Sequence, residues 1–438
     1  MTMRRALPLF LTAVLIPACS VAAEQPAAPR PPAGADGAAP LPPDAGDAGP
    51  TATAAPDGGA EAEALRRTLE PLMALHLNSG TEAEKPFGMV LRVESPSVSS
   101  TFAFGVLTPT EKQPVTGHER WVIGSVSKVI TAFMVAQAVE EGRLRLDAPL
   151  GTYLPPDFRV PSGPGGGVLM LRHLLAHTGG LPRYPATLDR SLATAQGVAG
   201  MTAAWQSYTK EHLREDLATT ELGGEPGARY TYSDFGFALA QLALEHSAGE
   251  AYATLLKKAL GPLGMTNTVA PEELPPGAPG LMPGHSGARF QPAGVVAPRV
   301  FTGDGFIYSS AADFGRFLRV LGRLDAAPSP AIERAIRAME TPRFAHTGPG
   351  GVAVDQGLGI GILPRGVATL YKKNGVSTGT STCMIYEPVR HVAVILGANG
   401  APVSTALNTA CCAAFMAAAE AAGVRDLRSL EGDCKAPF

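Results

Sequence analysis

A serine and a lysine three residues apart, Ser125 and Lys128, are the first candidates for chemistry in this sequence. The run that follows, Val129 to Glu141, is apolar and free of glycine and proline, which predicts a buried helix that ends at Gly142. Ser125 would lie at the start of that helix, with Lys128 one turn later on the same face. A serine hydroxyl needs a base within hydrogen-bond reach, and a lysine amine whose burial disfavours its charge can be that base. The pair suits acyl transfer, although Ser-x-x-Lys taken alone is better explained as a solvated serine and lysine on an ordinary helix.

A second motif, Tyr232-Ser233-Asp234, lies between a Pro-Gly turn and an apolar segment. A tyrosine whose pKa is lowered by a nearby ammonium can act as an acid or a base. By itself the motif is better explained as a buried tyrosine at the capped start of a helix.

A third motif, Lys373-Asn374-Gly375, lies at the edge of a predicted strand. Gly375 would let a substrate backbone approach that edge closely, and Lys373 would supply a positive charge for a substrate carboxylate. The alternative is a hairpin that carries surface lysines.

The composition indicates a globular body and argues against a nucleic-acid partner. The chain has 438 residues, 45% of them hydrophobic, and a net charge of −3 with no basic cluster. The nine histidines show no metal-ligand spacing, so neither a metal nor an organic cofactor is expected.

The first 23 residues have the features of a signal peptide. Residues 1–5 are short and basic, and residues 6–16 are apolar but too short to span a membrane well. Pro-Ala-Cys19 resembles a bacterial lipobox with Cys19 as the lipidated residue, and the alternative is cleavage after Ala23. Residues 24–60 are rich in Ala, Pro, Gly and Asp, which predicts a disordered tether. We therefore expect an exported envelope protein that touches the membrane only through a lipid anchor.

The remaining pattern predicts an α+β fold with one hydrolase domain over residues 61–425 and a short tail over 426–438. Helices are expected near both ends of this domain, and strands cluster near both ends. This arrangement predicts an antiparallel sheet built from 61–125 and 300–425 and flanked by helices, with a mostly helical insertion over 126–299. The predicted strands are 87–93, 101–106, 357–363, 367–372, 380–386 and 390–397, and the predicted terminal helices are 60–77 and 404–422.

Four cysteines lie in the exported body, and in that compartment disulfides can form. Cys411 and Cys412 are adjacent and are not expected to pair with each other. We favour a bridge from one of these two to Cys434, with Cys383 outside that pair.

Taken together and in this order, the three motifs resemble those of the serine β-lactamase and penicillin-binding-protein superfamily. They are most similar to the class C branch, with its S-x-x-K, Y-x-N and K-T-G elements. The resemblance covers about 62–425. Supporting phrases are Glu141-Gly-Arg-Leu-Arg-Leu-Asp-Ala-Pro149, Leu171-Arg-His-Leu-Leu-Ala-His-Thr-Gly-Gly-Leu-Pro182, Gly261-Pro-Leu-Gly-Met-Thr-Asn-Thr268 and Ser309-Ser-Ala-Ala-Asp313.

The resemblance implies a role for each matching residue. Ser125 would be the acylated nucleophile, and Lys128 and Tyr232 would share the acid and base work. Lys373 and its neighbours Asn374 and Gly375 would line the strand that binds substrate. The main-chain N–H groups of Ser125 and Val376 would form the oxyanion hole.

Two residues depart from the family pattern. Asp234 replaces the usual asparagine, so a neutral amide near the substrate becomes a carboxylate that can pair with Lys128 or Lys373 and keep it charged. Asn374 replaces threonine and removes a hydroxyl near the substrate carboxylate. Both variants resemble esterase-like and peptidase-like members and argue against efficient β-lactam hydrolysis.

Other motifs in the chain are weaker candidates. Gly375-Val-Ser-Thr-Gly379 fits the nucleophile-elbow pattern around Ser377, but the residues after it are strand-like and an elbow needs a helix there. His177 and His346 could each mimic the third motif, and we expect neither on a strand.

The sequence therefore predicts a serine hydrolase that acts on D-alanyl peptides of the cell wall or on β-lactams, with small esters as an alternative. An alternative of another class is a catalytically weak envelope binding or scaffold module. The oligomeric state stays open.

Overall fold

The computed structural model describes residues 59–77, 86–275, 277–285, 296–348, 351–377, 379–400 and 404–435. The signal peptide and lipobox predicted over 1–23, and the tether over 24–60 except for its last two residues, lie outside the described residues. Within these ranges, each helix is too short or too polar to cross a membrane.

The centre of the fold is an eight-stranded antiparallel sheet in which the two ends of the chain meet. Its strand order is β2-β1-β10-β9-β8-β7-β6-β5, and a separate two-stranded sheet is formed by β3 and β4. The first strand pairs directly with the last one, from Gly88 opposite Asn399 to Glu94 opposite Ala393. The strands are β1 Gly88–Glu94, β2 Ser99–Gly105, β3 Arg120–Val122, β4 Tyr308–Ser310, β5 Phe344–Thr347, β6 Ala353–Gln356, β7 Gly361–Arg365, β8 Ala368–Ser377, β9 Thr380–Glu387 and β10 Val392–Asn399.

The helices cover both faces of this sheet, and the region between β3 and β4 is mostly helical. In chain order the helices are α1 Ala60–Leu77, α2 Ser127–Glu140, α3 Leu171–Leu175, α4 Ala186–Thr194, α5 Gly197–Ser207, α6 Lys210–Thr219, α7 Asp234–Ala248, α8 Tyr252–Leu260, α9 Ala311–Leu321, α10 Pro330–Glu340, α11 Ser404–Ala421 and α12 Glu431–Cys434. The predicted α+β class is confirmed, with the sheet assembled from both chain ends and the helical part inserted between them.

Strand alternation assigns the sheet residues to two hydrophobic layers. On β9, Cys383 and Ile385 pack in the layer that contains α1 and α11, whereas Met384 and Tyr386 pack in the layer on the opposite face. Because both faces of the central strands are covered, these strands are almost continuously apolar. This two-sided burial fixes the register of β8, the strand that carries the third motif.

A disulfide joins Cys412 of α11 to Cys434 at the end of α12. The prediction that one of the adjacent cysteines bridges to Cys434 is confirmed, and the partner is Cys412. Cys383 and Cys411 are buried free thiols.

The sequence pattern missed β5 and β6 and misplaced the start of β7. These two strands have four residues each. Partly buried and exposed residues alternate along β5, and buried residues alternate with less buried ones along β6, so neither strand has an apolar run. His346 lies in β5, so the expectation that it lies on no strand is wrong. β7 begins at Gly361 rather than at residue 357, because Gly359 adopts a left-handed φ of 70° just before the strand.

Candidate active site

Two glycines bring the segment before α2 against strand β8. Gly124 has a left-handed φ of 56°, and a Cβ on it would lie 2.5 Å from the Val376 nitrogen. A Cβ on Gly375 would lie 2.1 Å from the Ile123 carbonyl oxygen and 2.8 Å from the Ser125 nitrogen. The main-chain nitrogens of Ser125 and Val376, the predicted oxyanion hole, therefore lie on two segments in direct contact.

Ser125 belongs to a 3₁₀ turn, Gly124–Val126, that leads directly into α2. The Lys128 amino group donates a hydrogen bond to Ser125 Oγ at 3.1 Å, and the Tyr232 hydroxyl donates another at 2.8 Å. The structure thus brings together the three residues that the sequence analysis singled out for nucleophilic catalysis.

The start of α7 fixes Tyr232 in this position. Ser233 is the N-cap of α7, and its hydroxyl accepts a hydrogen bond from the Gly236 N–H at 3.0 Å and donates one to the Pro182 carbonyl at 2.7 Å. The Ser233 N–H donates to His177 Nδ1 at 3.1 Å, and the His177 ring packs against the Tyr232 ring at 4.3 Å. The tyrosine is thus both a residue at a capped helix start and a partner of Ser125.

Lys128 is fully buried and is held by two acidic residues. Its Nζ donates to Asp234 Oδ1 at 2.7 Å and to the main-chain carbonyl oxygen of Asp304 at 3.0 Å, and it forms an ion pair with the Asp304 carboxyl. Arg183, whose side chain is largely exposed, reaches the second oxygen of Asp234 at 3.2 Å. Of the two pairings predicted for Asp234, the structure shows the one with Lys128.

Sequence analysis missed Asp304. The residue lies between Gly303 and Gly305, in a single turn over Thr302–Phe306 that precedes β4. An acid flanked by glycines in a segment that is otherwise apolar was the available signal, but neither periodicity nor motif spacing connects it to Lys128. Its contact with Lys128 appears only when this turn packs against α2.

The charge states of Lys128 and its partners differ from the sequence expectation. Burial opposes the ammonium form, but the Asp234 and Asp304 carboxyls raise the pKa of Lys128 well above its ordinary value of 10.5. Burial likewise favours the neutral form of Asp234, yet the Lys128 ammonium lowers the pKa of that carboxyl to about 2. The expectation that burial would make Lys128 a neutral amine is wrong, and the pKa directions agree instead with the prediction that Asp234 pairs with a lysine and keeps it charged.

Tyr232 also behaves differently from the expectation. Burial raises its pKa to about 12, and the opposing effect of the Lys128 ammonium is smaller. The phenol is therefore neutral at pH 7 and donates its proton to Ser125 Oγ. The predicted lowering of the tyrosine pKa does not occur.

Lys373 also lies against the Tyr232 ring, with its Nζ 4.7 Å from the ring centroid. Among the described residues it forms no ion pair. Burial and the nearby Lys128 ammonium lower the pKa of Lys373 to about 7. An anionic substrate group would restore its positive charge.

Among the described residues, one edge of β8 carries no paired strand where the third motif lies. The ladder with β7 ends where Gly361 faces Lys372, so within these ranges no strand pairs with Lys373 to Ser377 on that side. Alternation places Lys373 and Gly375 on the face towards Ser125 and Asn374 on the opposite face, where it pairs with Cys383. The Asn374 side chain is buried there, and within the described ranges neither of its polar atoms has a hydrogen-bond partner.

A cavity of about 540 Å³ opens at Ser125. One side is polar, with Arg183, Asp234 and Asp304, and the other is apolar. The apolar side is formed by Tyr184, Leu192, Val198, Met201, Trp205 and Phe306. Ser377 also borders the cavity, but β8 turns there into β9 as a hairpin, so the segment is not a nucleophile elbow.

Comparison with known proteins agrees with this geometry. The family model named Beta-lactamase matches residues 88–410. The D-alanyl-D-alanine-carboxypeptidase/endopeptidase AmpH of Escherichia coli (strain K12) is 29% identical over 198 residues, which are 45% of this chain and 47% of that protein. A β-lactamase of Pseudomonas fluorescens is 26% identical over 347 residues, which are 78% of this chain and 84% of that protein.

A solved structure shows the same fold. The crystal structure of β-lactamase/D-alanine carboxypeptidase from Yersinia pestis superposes with a TM-score of 0.65 at 22% identity, covering 82% of this chain and 99% of that one. The chain therefore belongs to the Beta-lactamase family, which confirms the predicted superfamily, and the superposition shows that the fold is shared. The match to AmpH spans about half the length of that relative.

Proposed function

We propose that this protein is an exported serine hydrolase that forms an acyl-enzyme at Ser125. The observation that carries the proposal is that Ser125 Oγ receives hydrogen bonds from both Lys128 and Tyr232 at the mouth of the cavity. The Ser125 and Val376 N–H groups, beside the attacking oxygen, would stabilise the oxyanion of the tetrahedral intermediate. Tyr232 would take the Ser125 proton as it passes its own phenolic proton to the leaving group, and the Lys128 ammonium would stabilise the developing alkoxide.

Cell-wall D-alanyl peptides and β-lactams are the proposed substrates. Both carry an amide that can pair with a free strand edge and a carboxylate that a lysine can bind. The edge of β8 from Lys373 onward supplies the first feature, and the Lys373 amine that lacks an acidic partner among the described residues supplies the second. The predicted signal peptide and the predicted lipobox at Cys19 support an envelope location, where the enzyme would encounter both kinds of substrate.

Labelling with a fluorescent penicillin tests the proposal. Wild-type protein and Ser125→Ala would be followed in parallel over time, with Ser377→Ala to separate the two serines at the cavity. Stable labelling that requires Ser125 would indicate a penicillin-binding peptidase. Labelling that clears as penicillin is consumed would indicate a β-lactamase. Label carried by Ser377 rather than Ser125 would reject the assigned nucleophile.

A carboxylesterase is the second candidate, favoured by the apolar side of the cavity. Trp205 packs edge-on against Phe301 and Phe306, so this wall is preassembled rather than formed by mobile side chains. An apolar acyl chain would be seated there without any need for a carboxylate. Cleavage of short p-nitrophenyl esters through Ser125, with no penicillin labelling, would establish this function. An absence of both reactions would favour the binding or scaffold module.

A further inference from the structure

We propose that Asp304 is a positioning residue of this site. Its carboxyl and its main-chain carbonyl, together with Asp234, hold the Lys128 amino group as a hydrogen-bond donor to Ser125 Oγ. This inference rests on the proposed function, because it assigns the state in which Lys128 meets the serine.

The acceptors around Lys128 match an ammonium. Nζ donates hydrogen bonds to three oxygen atoms, namely Ser125 Oγ, Asp234 Oδ1 and the Asp304 carbonyl oxygen, and the Asp304 carboxyl lies in ion-pair contact with it. An ammonium has three N–H donors, one for each of these oxygens, whereas a neutral amine has two. A neutral Lys128 would have to accept a hydrogen bond from the Ser125 hydroxyl instead of donating one.

The charges within the cluster balance when Asp304 is the neutral acid. The Asp234 and Asp304 carboxyls both lie against the Lys128 amino group. Burial and the neighbouring Asp234 carboxylate raise the pKa of Asp304 well above its usual range, so Asp304 keeps its proton. The buried trio then consists of one ammonium, one carboxylate and one carboxylic acid, with no net charge.

Other titratable groups act on Lys128 through space and do not reverse this balance. Lys373 and His177 favour its neutral form, but burial keeps His177 uncharged and lowers the pKa of Lys373 to about 7. Arg183 faces Asp234 from the solvent side. The phenols that complete the surroundings, all neutral at pH 7, are Tyr184, Tyr230 and Tyr232.

The main chain around Asp304 is held without help from its carboxyl. The Thr131 hydroxyl of α2 donates to the Gly303 carbonyl at 2.6 Å, and the Gly303 N–H donates to Gln241 Oε1 of α7 at 2.8 Å. A Cβ at Gly303 would lie 2.7 Å from Thr131 Oγ1, so this close approach needs glycine. The Asp304 side chain can therefore be changed while its backbone stays in place.

The test compares Asp304→Asn and Asp304→Ala with the wild type in the full chain. An asparagine can still donate to Asp234 and accept from Lys128, whereas an alanine can do neither. The first readout is the protonation of Lys128, followed by NMR of ε-¹³C-labelled lysine from pH 6 to 11 and assigned with Lys128→Met. The second readout is the rate of Ser125 acylation by penicillin or a p-nitrophenyl ester over the same pH range. Thermal melting shows that each variant is folded.

We expect Lys128 of Asp304→Ala to lose its proton at a lower pH than in the wild type. Its acylation rate at pH 7 should fall roughly 100-fold, the loss typical of a misplaced catalytic group. Asp304→Asn should stay closer to the wild type in both readouts, because it keeps a donor and an acceptor at this position. The shift in the Lys128 titration of Asp304→Ala separates this role from a purely space-filling one, which would not move the titration.

Two results would overturn the inference. One is a Lys128 titration that is the same in Asp304→Ala and in the wild type. The other is acylation of Ser125 in Asp304→Ala that is as fast as in the wild type or faster. That result would be expected if Lys128 acted as a neutral base. If wild-type Ser125 reacts with neither reagent, the proposed function fails, and the titration alone still decides whether Asp304 holds Lys128.

Discussion

Lys128 and Lys373 both lie against the ring of one tyrosine and are almost equally removed from solvent. Their Nζ atoms are 5.0 and 4.7 Å from the centroid of the Tyr232 ring, and their exposed fractions are 0% and 4%. Nevertheless, their pKa values move in opposite directions. The pKa of Lys128 is raised well above 10.5, and that of Lys373 is lowered to about 7.

The difference lies in the acidic partners and not in the burial. The Lys128 amino group contacts the carboxyls of Asp234 and Asp304. In the part of the chain described, no carboxylate forms an ion pair with the Lys373 amino group. Burial disfavours both ammonium groups, and a compensating charge reverses the effect for only one of them. Lys128 is therefore an ammonium at neutral pH that holds the reacting serine. Lys373 becomes fully charged when an anionic substrate group binds beside it.

Replacing each lysine by methionine should give the largest effect. Lys128→Met removes the donor to Ser125 Oγ and leaves two buried acids without a cation, so we expect acylation to fall about 10²–10⁴-fold. Lys373→Met removes a group that does not touch Ser125, so the fall should be smaller and should appear mainly in KM for anionic substrates. The measurement is the rate of Ser125 labelling by fluorescent penicillin. Equal losses in both variants would contradict the division of roles.

The pH dependence of substrate binding should separate the two lysines next. The Lys373 ammonium is present below pH 7 and is lost as pH rises through its pKa of about 7. KM for penicillin should then rise by up to about tenfold per pH unit above pH 7. KM for the methyl ester of the same penicillin, which lacks the carboxylate, should stay level.

Steady-state kinetics of the two compounds between pH 6 and 9 give this comparison. Lys373→Met is the matched control and should abolish the difference between acid and ester. The same slope for both compounds in the wild type would show that Lys373 does not bind the carboxylate.

Local patterns in the sequence predicted the elements and the three motifs, because these depend on neighbouring residues. The helix after Ser125, the strands at both chain ends and the Tyr232 motif each have a short-range signal in periodicity or turn chemistry. The compartment and the adjacency of Cys411 and Cys412 favoured a bridge from one of these two to Cys434, and the structure shows that the partner is Cys412. These signals were sufficient to assign the family and the expected nucleophile.

The protonation states could not be predicted, because they depend on contacts between distant segments. Lys128 and Asp304 are 176 residues apart and meet only because Gly303 lets its turn approach α2 closely. The lowered pKa expected at Lys128 belongs instead to Lys373. The sequence offered Asp234 as a partner for either lysine and gave no sign that Asp304 also reaches Lys128. Asn374 was assigned to the substrate side because a motif gives the order of residues but does not show which face of the strand each side chain is on.

Protein stability should also report on the lysine without an acidic partner. A folded Lys373 with a pKa of about 7 binds fewer protons above pH 7 than the unfolded lysine, whose pKa is near 10.4. Its contribution to the free energy of unfolding should therefore increase with pH between about 7 and 10, by on the order of 1 kcal/mol per pH unit. Denaturant unfolding of the wild type and Lys373→Met over this range measures the contribution as a difference. A difference that stays constant with pH would mean that Lys373 remains charged in the folded protein.

The smallest expected effect concerns Asn374, the immediate neighbour of Lys373 on the opposite face of β8. Asn374→Thr introduces the residue that the family pattern expects. Because the side chain faces away from Ser125, the acylation rate and KM should change little. The variant removes a buried amide that has no hydrogen-bond partner among the described residues, so the free energy of unfolding should rise by about 1 kcal/mol. A large gain in penicillin turnover with no change in stability would instead place this side chain at the substrate, and the contrast between the two faces of β8 would fail.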